Sequence, residues 1–157
     1  TSFCMFLAKT DERHAELVSK FFLRQVSKDY QALVELPSEE NTADTGEIDL
    51  PVHGRPALSL YQVEERMSDG KARLRIQTKT GRKHQVRVHC ATGLHAPIVG
   101  DTKYASAMDK EINQQQSNKK IERFCLHASA LQVPGLPEIQ APLPGWWQED
   151  DVIITDN

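Results

Sequence analysis

A chain of 157 residues, 39% hydrophobic and 26% charged, has the size and composition of one domain able to bury a core of its own. No run approaches the roughly 18 apolar residues of a membrane-spanning helix, so neither a helical span nor a membrane partner is expected. The formal net charge of −3 argues against a uniformly basic protein, yet residues 71–89 carry +7 with no acid, which leaves −10 for the remainder. Polyanion binding follows local basic density, so that segment is either a nucleic-acid surface or a solvated strand face balanced by acids elsewhere.

Ser2 to Ala8 is a short apolar run and predicts a buried strand. Thr10 is placed to cap a helix over 11–22, where Asp11 and Glu12 suit the positive helix end and Ala15, Val18, Phe21 and Phe22 form a buried stripe. Residues 30–36 alternate as a strand with Tyr30, Ala32, Val34 and Leu36 on one face. Residues 37–46 are acidic and turn-rich and predict a loop. Gly54-Arg55-Pro56 turns into a strand over 57–65, and Asp69-Gly70 turns into a second over 72–79, with Leu74 and Ile76 on one side and Arg73 and Arg75 on the other.

Thr80-Gly81 breaks that strand, and a helix over 83–91 follows, with Gly93 as its stop. Further on come an apolar segment at 97–99, a helix over 105–116, a polar loop over 114–120 and a partly extended stretch over 124–133. Pro134, Pro137, Pro142 and Pro144 punctuate the tail. Hairpin signals outnumber strict strand-helix-strand alternation, which predicts an α+β fold with a mixed, largely antiparallel sheet and flanking helices.

Cys4, Cys90 and Cys125 are scattered, odd in number and without a CxxC pair; they read as reduced intracellular thiols, with Cys4 and Cys125 in the core. His84, His89, Cys90 and His95 cluster in sequence but match no zinc spacing, so no metal is expected. On the predicted helix Lys83, His84 and Arg87 share one face, while Val86 and Cys90 turn inward. By spacing alone that basic face is either an anion site or a set of surface salt bridges.

The phrase Thr80-Gly81-Arg82-Lys83-His84-Gln85-Val86-Arg87-Val88-His89 resembles the TGR-x-HQ-(I/L/V)-RVH signature of the RluA-type pseudouridine synthases. Thr1-Ser2 with Cys4 to Thr10 is similar to the end of that family's HRLD-x-x-TSG…FAKT motif. Residues 26–34 resemble its V-x-K-x-Y-x-ALV segment, and Gly46-Glu47-Ile48-Asp49-Leu50-Pro51 its G-x-IDLP phrase. Residues 97–104 resemble PI-(L/V)-GD-x-x-Y, and Leu126-His127-Ala128 and Ala141-Pro142-Leu143-Pro144 resemble the closing LHA and APLP.

The resemblance implies a single pseudouridine synthase-like catalytic domain over 1–157, incomplete at its N-terminus. Its reaction isomerises uridine to pseudouridine in structured RNA, with no cofactor or metal. The family's nucleophile is the Asp of HRLD, which the resemblance puts three positions before Thr1. Arg87 matches the arginine that keeps such a carboxylate ionised. Tyr30 matches the active-site tyrosine, and Leu126 an apolar residue lining the uracil pocket. Read without the resemblance, Tyr30 is an ordinary strand aromatic and Leu126 a core residue. Arg82, Lys83 and His84 are either phosphate contacts or exposed polar residues at a turn.

Phe3 stands where the family has Gly, Leu94-His95-Ala96-Pro97 replaces its GHP, and the stretch from Pro51 to Ala57 is shortened. The implied substrate is ribosomal RNA, with transfer RNA as the other choice and pre-ribosomal particles as partners. The alternative is an inactive synthase-like RNA-binding scaffold or ribosome-assembly factor. The wording of 82–91 and 97–104 is similar to bacterial and mitochondrial members, which implies a mitochondrial location, with the cytoplasm as the alternative.

Overall fold

Alternation of small apolar and polar residues puts β2, Ser27–Glu35, at the centre of the sheet, with Ala32 and Val34 fully buried on one face. The computed structural model describes residues 2–36, 42–104 and 123–148. Among them run β1 (Ser2–Phe3), α1 (Asp11–Phe22), β2, β3 (Thr45–Asp49), β4 (Leu58–Arg66) and β5 (Lys71–Thr78). Then follow α2 (Gln85–Val88), a π-helical turn (His89–Gly93), β6 (Leu126–Gln132), β7 (Ile139–Gln140) and α3 (Gly145–Gln148). The strands form one mixed sheet in the order β1-β6-β2-β5-β4-β3, with β7 also on β6. All pairs are antiparallel except β1 with β6, so the α+β expectation holds.

The core lies on one face of this sheet. Ala32, Val34, Ala72, Leu74 and Ile76 alternate along β2 and β5 and are all fully buried. Val86 and Cys90 cover them, together with Ala96, Ile98 and Val99. Burying a Leu or Ile side chain stabilises by about 1.5–3 kcal/mol, so this double row dominates the local energetics. Leu33 O accepts from Val99 N–H at 2.9 Å and Glu35 N–H donates to Pro97 O at 3.0 Å, which stitches 97–99 to β2.

Two glycines are fixed by close approach. A Cβ on Gly46 would lie 2.6 Å from the Tyr61 ring across the β3–β4 pair. One on Gly93 would lie 2.5 Å from Ile48 Cγ2. Gly93 therefore ends the turn by letting β3 pack against it, as well as by its place in sequence.

The structure corrects several expectations. The run from Ser2 to Ala8 is not a buried strand. Only Ser2 and Phe3 pair, with His127 and Ala128, and Phe3, Met5 and Leu7 are exposed. The cause is crowding: β7 occupies Ala130 and Leu131 on the same edge of β6, directly ahead of β1. Cys4 is consequently half-buried, whereas Cys90 and Cys125 are buried. Burial, then the charge of Asp101, pushes the Cys90 thiol up to about 12.

Helix α1 has the expected bounds, and Thr10 Oγ1 accepts from Arg13 N–H at 3.3 Å. Its apolar stripe is not buried, however: Ala15, Val18, Phe21 and Phe22 are exposed. The helix overlies an apolar groove of about 530 Å³ instead of close-packed side chains. Lys20 Nζ tethers it to Pro134 O at 2.7 Å.

The loop expected over 37–46 ends earlier than predicted, because Thr45 and Gly46 pair with Gln62 and Tyr61 in β3–β4. The helix expected over 83–91 is a four-residue α-helix followed by the π turn. The helix expected over 105–116 and the loop over 114–120 lie outside the described residues.

Candidate active site

The site begins at the turn that leaves β5. Gln85 is buried and uses its full hydrogen-bonding capacity there. Its Oε1 accepts from Thr80 Oγ1 at 2.8 Å and from Arg82 N–H at 3.0 Å. Its Nε2 donates to Leu58 O at 2.9 Å and to Ser59 Oγ at 3.0 Å. One side chain thereby ties the turn to β4. Thr80 Oγ1 also accepts from Leu58 N–H at 3.0 Å. The turn closes with His84 in the left-handed region, φ 60°, an arrangement that costs a non-glycine residue roughly 1–2 kcal/mol. Helix α2 therefore starts at Gln85, and Lys83 lies before the reversal instead of on a helical face with Arg87.

Arg87 projects from α2 and is held on several sides. Its Nε and Nη2 donate to Asp101 Oδ2 and Oδ1 at 2.8 and 2.6 Å. The rings of Tyr104 and Phe124 each lie 4.9 Å from its guanidinium carbon, within cation–π range. His84 Nδ1 is 3.0 Å from the Tyr104 hydroxyl. Burial, reinforced by the cations Arg87, Lys103 and Lys83, lowers the His84 pKa and favours the neutral ring, whose free nitrogen can accept that hydroxyl proton.

Asp101 is buried. Burial pushes its carboxyl upward, but hydrogen bonds from Arg87 and from the Tyr104 and Lys103 backbone N–H groups outweigh this and hold it below the usual range. A depressed folded pKa contributes stability that is complete above the unfolded value of about 3.9 and is lost as pH falls through the folded value. Asp101→Asn is therefore expected to narrow its stability deficit against the parent as pH drops below about 4. Melting curves of both proteins from neutral to acid pH measure this; a deficit constant with pH would show that the carboxylate charge is not what stabilises.

A cleft of about 550 Å³ opens in front of Arg87. Tyr30, Leu126, Arg82, Lys83 and His84 line it with Arg87, so the structure brings all six candidate residues to one place. Lys28, Thr78 and Phe124 also line it, and among the described residues no Asp or Glu does. Tyr30, Lys28 and Leu126 form the wall between this cleft and the apolar groove beneath α1, since both cavities touch them. Burial, then the neighbouring Cys4, raises the Tyr30 phenol above its usual pKa, so it is protonated at neutral pH. Burial lowers that of Lys28, whose Nζ sits 4.7 Å over the Phe21 ring.

Pairing in β2–β6 slips beside Tyr30: Asp29 faces Ala130 while Tyr30 faces Ala128, leaving Ser129 as an extra residue on β6. Such bulges re-aim side chains next to functional sites. Leu126 and Ala128 before the slip and Ala130 and Leu131 after it all line the apolar groove.

The basic segment does not act as one patch. Lys71, Arg73 and Arg75 lie on the strand face opposite Thr78 and pair with Asp69, Glu65 and Asp29. Only Arg82, Lys83 and Arg87 of that segment reach the cleft. Lys28, Gln85, Asp101, Tyr104 and Phe124 went unassigned in the sequence reading. Lys28, Gln85, Asp101 and Tyr104 all stand inside the family-like motifs, and a lysine two residues before Tyr30 on the same strand face was the available signal for Lys28. Among the described residues no three His, Cys, Asp or Glu side chains gather as a metal site; His89 instead makes a 2.9 Å hydrogen bond between Nε2 and Leu50 O.

The fold is that of a pseudouridylate synthase domain. The chain superposes on the human RNA pseudouridylate synthase domain containing 4 with a TM-score of 0.68 and 24% identity, over 94% of this chain and 73% of that one. The sequence model of the RNA pseudouridylate synthase family matches residues 1–92, and the chain belongs to that family. It is 36% identical to the dual-specificity RNA pseudouridine synthase RluA of Pasteurella multocida over 80% of this chain and 58% of that protein. It is 35% identical to the ribosomal large subunit pseudouridine synthase D of Blochmanniella floridana over 92% of this chain and 51% of that protein. The chain thus spans a little over half the length of these curated relatives.

Proposed function

We propose that the protein containing this chain isomerises uridine to pseudouridine in ribosomal RNA. One observation carries the reading: Arg87, Tyr30 and Leu126 line a single cleft together with Arg82, Lys83 and His84, with no acid among the described residues that line it. The family membership and the ribosomal relative's name support it.

On this reading a uridine leaves its stack and enters the cleft between Tyr30 and Leu126. The Tyr30 ring packs against the base, and its protonated hydroxyl is available for proton transfer. Arg87 faces an aspartate carboxylate supplied by the HRLD-type segment and keeps it charged for attack on the nucleotide. The uracil detaches, turns and rejoins through carbon. Arg82 and Lys83 take phosphates at the rim, with Arg82 held by Nε to Pro56 O at 3.0 Å.

The test is to incubate the full-length protein with ribosomal RNA transcripts and map pseudouridine at single-nucleotide resolution. New pseudouridine at a discrete position is expected. RNA binding with no pseudouridine would overturn the enzymatic reading and leave a scaffold; pseudouridine only in transfer RNA would overturn the substrate.

A further inference from the structure

The GD-x-x-Y stretch of residues 100–104 has no role in the reaction proposed above, yet its Asp is the most tightly held charge at the site. The Asp101 side chain is 1% exposed, against 20% for Arg87. A carboxylate so buried needs every available donor. Besides the two bonds from Arg87, its Oδ1 accepts from Lys103 N–H and Tyr104 N–H, both at 3.1 Å. These backbone bonds fix the carboxylate to its own loop independently of Arg87. It is therefore an anchor with a set position, and the guanidinium docks onto it.

Docking in this way decides which edge of Arg87 is left. A guanidinium has five N–H donors, and Asp101 takes one on Nε and one on Nη2. Among the described residues Nη1 makes no hydrogen bond, and the side chain lines the cleft. With two ring neighbours at 4.9 Å, the plane has little freedom.

We infer that Asp101 is a positioning residue: it clamps the Nε edge of Arg87 so that the remaining edge is presented, already oriented, to a second carboxylate entering the cleft. This inference rests on the function proposed above, in which that second carboxylate is the nucleophile. Preorganised donors are effective because no reorientation is needed during reaction, and misplacement by about 1 Å can cost roughly 100-fold in rate.

The test compares Asp101→Asn with the parent in the full-length protein, using single-turnover pseudouridine formation, RNA affinity and melting temperature. The turnover rate is expected to fall by roughly 10- to 100-fold, with the RNA Kd within about twofold and the fold intact at assay temperature. In an Arg87→Lys background, where no fork remains to orient, the same change is expected to cost less than about twofold. An unchanged rate in Asp101→Asn, or an equal loss in both backgrounds, would overturn the inference. Should Asp101→Asn not fold, Asp101→Glu, which keeps the charge but moves it by a methylene, carries the same comparison. If the parent itself forms no pseudouridine, the function falls rather than the clamp; the clamp is then judged by the Arg87 Nε–H signal in NMR, expected to lose its slow solvent exchange in Asp101→Asn and overturned if exchange stays slow.

Discussion

Replacing Arg87 by alanine is expected to cut pseudouridine formation by roughly 10²-fold or more, while RNA affinity falls less than about tenfold. The asymmetry follows from where its charge sits. Arg87 is engaged with Asp101 and two rings, while Arg82 and Lys83 line the same cleft and, on the function proposed, are the residues that take phosphates. Truncation also strands Asp101. Removing one member of a buried ion pair costs about 3–5 kcal/mol, moderated here by the two backbone N–H groups that still hold the carboxylate. Lost folding and lost chemistry must therefore be separated. The Arg87→Ala, Asp101→Asn double variant removes the stranded charge and is expected to regain stability without regaining activity. Activity that recovers with stability in the double variant would assign Arg87 to the scaffold alone.

The second large effect is on the fold. Gln85→Ala is expected to destabilise by roughly 2–4 kcal/mol and to weaken the cleft with it. The change leaves Thr80 Oγ1, Arg82 N–H, Leu58 O and Ser59 Oγ without their shared partner. Each such group costs about 1–3 kcal/mol if buried and unpaired, less where water enters. The left-handed His84 also loses the bonds that hold its turn closed. Denaturant unfolding measures the change. A loss below about 1 kcal/mol would mean that the turn closes through other contacts, and that Gln85 is not its organiser.

Much of the fold was readable because local and tertiary preferences agree along β2, β4 and β5, while the bounds of α1 follow from its local signals alone. Thr10, Asp69-Gly70 and the alternation through Leu74 and Ile76 each specify their element with near-neighbour chemistry. The failures share a cause. Ser2 to Ala8 is apolar enough for a buried strand, but the space it needs on β6 belongs to β7, a competitor far away in sequence. The stripe of α1 is helical in period, yet periodicity cannot say what it meets, and here it overlies a groove. β3 escaped notice because Gly46 lowers strand propensity; only the Tyr61 ring across the pair explains it.

At the site, motif likeness singled out Arg87, Tyr30 and Leu126, and the fold gathers them. It could not show that the charge of Arg87 is already matched by Asp101, because that pairing depends on how the loop after Val99 returns to α2. Nor could charge counting separate Arg73 and Arg75 from Arg82 and Lys83. Strand alternation sends the first two to the opposite face of the sheet, where acids neutralise them.

The contact between Gly93 and Ile48 has an evolutionary corollary. With only 2.5 Å between a notional Cβ at one position and the methyl of the other, the two sites share one fixed volume. A heavier residue at 93 is admissible only when 48 becomes slighter, so drift at either position is conditional on its counterpart. Substitutions tolerated in one homologous background should prove damaging when transplanted singly into another.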